Sequence, residues 1–144
     1  MSAQAHYNSL FYDAVREFGA VSENTMTGIV GFSAGGPVSM CRLGTGNTFV
    51  TCELSRTPEQ NHSTEGMRFE LLSRLPFSVA DTQGFLTSLG ALSMEATLGD
   101  GHTIDCRAVS PSLDIQEVFL KLHSSREIDG ESFGIYEVCR ASAA

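Results

Sequence analysis

Residues Thr48 to Pro76 constrain the fold more than any other part of the chain. They open with Thr-Phe-Val-Thr-Cys-Glu-Leu, pass through a polar stretch, and close with Met-Arg-Phe-Glu-Leu-Leu-Ser-Arg-Leu-Pro. In the closing segment Met67, Phe69, Leu71, Ser73 and Leu75 fall on one side of an extended chain. Arg68, Glu70, Leu72 and Arg74 fall on the other. That period of two predicts a half-buried antiparallel strand over Met67 to Leu75, ended by Pro76. Thr48 to Leu54 is expected to be its companion strand. Between them, Ser55 to Gly66 contains no apolar residue and is read as a solvated excursion. So long a loop in a compact domain is often functional.

The rest of the chain sets the context. Residues 2–18 suit an amphipathic helix, with Tyr7, Leu10, Phe11, Ala14, Val15 and Phe18 on one face. Strands are expected over 27–33 and 37–43, with turns at 34–37 and 44–47. A second helix is expected from an N-cap at Asp81, burying Phe85, Leu86, Leu89 and Leu92, with Gly90 permitting close packing on the sheet. Residues 98–104 read as a turn leading into a short extended segment. Val118 to His123 and Gly134 to Arg140 are expected strands, joined by an exposed polar connection over Ser124 to Ser132. This order predicts an α+β fold: a single domain over residues 1–144, with a mostly antiparallel sheet and two main helices packed against it.

Composition excludes several function classes. The 144 residues suit one domain, and 42% hydrophobic with 18% charged residues suits a globular one. The net charge of -8 repels phosphate backbones and favours basic protein surfaces, so no nucleic-acid partner is expected. No apolar run approaches a membrane span, and the first residues lack the basic and apolar regions of an export signal. A cytoplasmic location without membrane association is therefore expected. In that compartment Cys41, Cys52, Cys106 and Cys139 are expected as free thiols.

The chemistry-bearing residues form no decisive motif. Asp100, His102, Asp105 and Cys106 cluster in sequence, but Gly99 and Gly101 favour a structural turn over a metal or Cys/His site. His6, His62, His102 and His123 have no zinc-like spacing, and no metal or cofactor is expected. Gly31-Phe32-Ser33-Ala34-Gly35 fits the nucleophile-elbow expression, but Gly36-Pro37 and a predicted strand follow where a hydrolase needs a helix. Two candidate regions remain. The polar loop, with Arg56, Glu59, His62 and Glu65, is a candidate protein-binding loop. A pocket holding Asp100, His102 and Glu70 is the alternative, for a small-molecule-binding protein or small enzyme. A structural or oligomerising module is a third reading.

Several short segments, in order, resemble the suppressor-of-fused-like domain family. Thr48-Phe49-Val50-Thr51 and Leu54-Ser55 are similar to the end of a family strand. Pro58 falls in the loop that follows, and Glu70-Leu71 with Leu75-Pro76 match the next strand. After a helix comes Gly101-His102-Thr103, and a final strand pair follows. The resemblance spans about residues 38–140 and departs at Glu53, where the family has Gly. It implies a binding domain, not an enzyme. An animal relative holds a peptide segment of a transcription factor, and bacterial members resemble immunity proteins that neutralise toxins. The expected partner is thus a protein, such as a toxin with a basic surface.

Overall fold

The computed structural model describes residues 2–25 and 32–141. Among these residues the fold is α+β, with seven strands in one sheet and helices on both of its faces. In chain order the strands are β1 (Val21–Thr25), β2 (Met40–Leu43), β3 (Thr48–Thr51), β4 (Arg68–Ser73), β5 (Thr103–Asp105), β6 (Glu117–Ile128) and β7 (Glu131–Arg140). They lie in the order β1-β2-β3-β4-β7-β6-β5. Every pairing is antiparallel except β4 with β7, where Phe69 stands opposite Gly134 and Leu71 opposite Tyr136.

The amino-terminal helix breaks into α1 (Ala3–Leu10) and α2 (Tyr12–Phe18), which meet at Phe11. Ser2 caps α1 by accepting from the Ala5 N–H at 3.2 Å. These helices cover one face of the sheet. Leu10, Phe11 and Ala14 pack there on Cys41, Leu43, Val50, Leu72, Phe133 and Ile135. The opposite face carries the larger core, in which Phe85, Leu86 and Leu89 of α3 (Val79–Glu95) meet Phe49, Phe69, Leu71, Val118 and Tyr136. A one-turn α4 (Cys106–Val109) lies beside it. The cap of α3 is Ser78, whose hydroxyl accepts from the Asp81 N–H at 3.1 Å, so Asp81 sits in the first turn rather than at the cap. Gly90 serves close packing against a 3-10 turn rather than the sheet: a Cβ there would stand 2.8 Å from Leu54 Cδ2.

The structure corrects four local expectations. First, β4 is not half-buried or purely antiparallel. It is central, and Phe69 to Ser73 are buried. Arg68, Glu70 and Arg74 marked its second face as polar, yet α1 and α2 cover that face too. Second, Ser124 to Ser132 is largely exposed, as expected, but it is strand rather than connection. The two strands run on to a turn at Asp129-Gly130, with Ile128 opposite Glu131. Both turn residues have positive φ, 52° and 81°, as the tight hairpin turn requires, and Asp-Gly is its sequence signal. Third, the expected strand over 27–33 falls mostly outside the described residues, and Phe32–Ala34 forms a single 3-10 turn. Fourth, the stretch Ser55 to Gly66 is not solvated throughout: Ser55, Thr57, Gln60 and Ser63 are buried.

Candidate functional site

The fourth correction leads to the site. Glu70 is fully buried on the face under α1, and it forms no ion pair among the described residues. Its carboxylate instead gathers hydrogen-bond donors from the end of β3 and the short turn Leu54–Arg56. Oε1 accepts from Thr51 Oγ1 at 2.6 Å and from the Leu54 N–H at 3.2 Å. Oε2 accepts from the Ser55 N–H at 2.7 Å and from Ser55 Oγ at 2.5 Å. Thr51 Oγ1 in turn accepts from the Leu71 N–H at 2.9 Å, which closes the knot onto β4. Burial raises the Glu70 pKa to about 7, and the hydroxyl and amide donors restrain the rise.

The knot continues to α1. His6 Nε2 lies 3.1 Å from Ser55 Oγ. With Glu70 ionised, Ser55 gives its one hydroxyl proton to the carboxylate, so His6 donates from Nε2 and Nδ1 is left as an acceptor. Burial, helped by the charge of Arg56, lowers the His6 pKa and keeps the ring neutral near pH 7. The Tyr7 hydroxyl is buried nearby, and burial and the Glu70 charge hold it protonated.

A second set of bonds pins the middle of the loop. The Gln60 amide donates to the Phe69 carbonyl at 2.9 Å and accepts from the Phe69 N–H at 3.1 Å. Ser63 N–H donates to the Met67 carbonyl at 2.8 Å. Arg68 Nη1 donates to the Thr57 carbonyl at 3.0 Å. The loop is therefore a fixed part of the scaffold.

Beside the knot a cleft of about 340 Å³ opens between α1, this loop and the β6–β7 turn. Its chemistry comes from His6, Ser55, Arg56, Arg68, Asp129 and Glu131, with Pro58, Ile128 and Phe133 as apolar wall. Arg68 pairs with Glu131 at 3.0 Å, and His62 approaches the same carboxylate at 3.5 Å. Two cationic and two anionic side chains thus face one opening. Ser55 stands between His6 and Glu70, whereas a catalytic triad needs the histidine between the acid and the hydroxyl.

The residues expected from the sequence are divided by this geometry. Arg56 lines the cleft and His62 stands at its rim through Glu131. Glu59 is exposed nearby. Glu65 belongs to the opposite face, where it accepts from Tyr136 at 2.5 Å and from the Asp100 N–H at 3.0 Å. Burial would raise the Glu65 pKa, but the Thr64 and Tyr136 hydroxyls and the Asp100 amide hold it low. Asp100 and His102 do not meet Glu70. Asp100 accepts from the Leu122 N–H at 2.7 Å, and the exposed His102 extends the β5–β6 pairing through its backbone. Asp105 caps α4 and pairs with Arg107, while Cys106 is buried with its thiol pushed up by burial. All four cysteines are free thiols. Among the described residues no group of three or more His, Cys, Asp or Glu is placed to hold a metal ion. No helix of the described residues is long and apolar enough to cross a membrane.

Sequence reasoning missed His6, Ser55, Arg68, Asp129 and Glu131. His6 carried a usable signal, because it lies one turn before Leu10 on the buried side of α1. Asp129 carried another in its Asp-Gly pair. No family model, curated protein or solved structure matches this chain.

Proposed function

We propose that the chain is a non-enzymatic protein-binding domain of the suppressor-of-fused kind, acting in the cytoplasm. As an immunity protein it would occlude a toxin that presents a basic surface. The observation that carries this reading is the rigid anchoring of the loop over 53–66. Glu70, Gln60 and Ser63 fix its backbone from beneath, while Arg56, Glu59 and His62 remain at the surface. A recognition loop held this way loses little entropy on binding. Further support comes from Thr51, Ser55 and Glu70. These are among the residues that carry the resemblance, and they meet in one hydrogen-bond knot. The net charge of -8 favours association with a basic partner.

The test is calorimetric titration of the full chain with each candidate toxin domain encoded in its genomic neighbourhood. Binding at about 1 μM or tighter is expected, weakening as salt rises. Glu59→Arg should slow association without changing the thermal midpoint. Absence of binding at low salt, or equal binding by the Glu59 variant, would overturn the reading.

A further inference from the structure

The cleft beside His6 contains two charged side chains that have no protein partner among the described residues. Arg68 and Glu131 are paired with each other. Arg56 and Asp129 make no ion pair and no side-chain hydrogen bond with any described residue. They do not pair across the cleft either, although both line it. Both act on the same imidazole: Arg56 lowers the His6 pKa and Asp129 raises it. A free guanidinium and a free carboxylate therefore stand on the same opening, separated from each other by more than salt-bridge range.

This pattern discriminates among ligands. A simple anion drawn to Arg56 would also meet Asp129 and Glu131. A simple cation drawn to Asp129 would meet Arg56 and Arg68. A ligand carrying both charges satisfies both free groups at once. Arginine offers a carboxylate a two-pronged donor set. Asp129 accepts from an ammonium, and His6 Nδ1 has a lone pair without a partner among the described residues. Pro58, Ile128 and Phe133 supply an apolar wall. The volume of about 340 Å³ lies at the small end of ligand sites.

We propose that this cleft binds a free α-amino acid with an apolar side chain. Its carboxylate sits on Arg56, its ammonium on Asp129, and its side chain against Ile128 and Phe133. The proposal goes beyond protein binding and stands or falls separately from it, since its test contains no protein partner.

The experiment is calorimetric titration of the full chain with L-leucine, L-methionine and L-phenylalanine. Two leucine analogues complete the set: 4-methylpentanoate, which lacks the amine, and 3-methylbutylamine, which lacks the carboxylate. At least one amino acid should bind in the millimolar range or tighter, and each leucine analogue should bind about tenfold more weakly than leucine or not at all. Arg56→Ala and Asp129→Asn should each weaken amino-acid binding about tenfold. Asn tolerates the positive φ at position 129, so the second variant retains the turn. Unchanged thermal midpoints would show both variants folded. Three results overturn the proposal: no binding of the three amino acids, 4-methylpentanoate binding as well as leucine, or full affinity in the folded variants.

Discussion

Replacing Glu70 by Gln tests the knot under α1 most directly. The variant keeps the size of the side chain and removes its charge. Two opposing effects follow. The amide nitrogen has no lone pair, so one of the buried donors now bonded to Glu70, the Ser55 N–H or the Leu54 N–H, loses its acceptor. An orphaned buried donor costs about 1–3 kcal/mol. Against this, the variant removes the penalty of ionising a buried carboxyl. The Glu70 pKa rises from its ordinary 4.5 to about 7 on folding. A raised folded-state pKa contributes stability that is fully present below the unfolded value and is lost as pH rises through the folded one. The window here runs from about pH 4.5 to 7, and the change across it is roughly 3 kcal/mol. The variant should therefore be less stable than the parent by about 1–3 kcal/mol at pH 5. By pH 8 the gap should have closed by roughly 3 kcal/mol, so that the variant equals or exceeds the parent. The assay is urea unfolding of both proteins from pH 4.5 to 8.5. Circular dichroism is the signal, since the chain has no tryptophan. Subtracting the two proteins cancels the other titrating groups. A stability gap that stays constant between pH 5 and 8, or widens with pH, refutes the reasoning.

Two further outcomes are expected. Gln60→Ala removes both side-chain bonds to Phe69; amide exchange over residues 56–63 should quicken at least about tenfold while β6 and β7 remain protected. Equal protection of the loop in both proteins would show that Gln60 does not pin it. Gly90→Ala places a methyl against Leu54 and Phe32; overpacking of about 1–3 kcal/mol exceeds the helix-propensity gain of about 1 kcal/mol, so the thermal midpoint should fall. A rise in the midpoint would mean that Leu54 yields without cost.

The sheet and its core were legible because their signals are local. Alternation over Met67 to Leu75 located β4, and helical spacing from Tyr7 to Phe18 located α1 and α2. What alternation does not encode is the neighbour. A polar second face on β4 looks the same whether water or a helix covers it, and only the placement of α1 and α2 decides. The loop failed for a related reason. Ser55, Gln60 and Ser63 are polar, yet each is buried because a specific partner satisfies it: Glu70, the Phe69 backbone and the Tyr136 hydroxyl. Hydropathy scores the residue and is blind to the partner. The cleft is harder still, since His6, Arg56 and Asp129 are separated by long stretches of chain and converge only through tertiary packing. Closeness in sequence is no better a guide, as buried Cys106 and exposed His102 show. They are close in sequence and make no common site.

The single parallel pairing has a consequence for the order of assembly. β7 lies between β4 and β6, and it follows both in the chain. Until it inserts, β1 to β4 form one ribbon and β5 with β6 another, and among the described residues no strand of one pairs with a strand of the other. The β4 edge, with Phe69, Leu71 and Leu72, then stays open in a nascent chain emerging from the ribosome. Stalling ahead of residue 131 would leave two half-sheets with adhesive edges. Whatever captures this chain during its synthesis would meet those edges first.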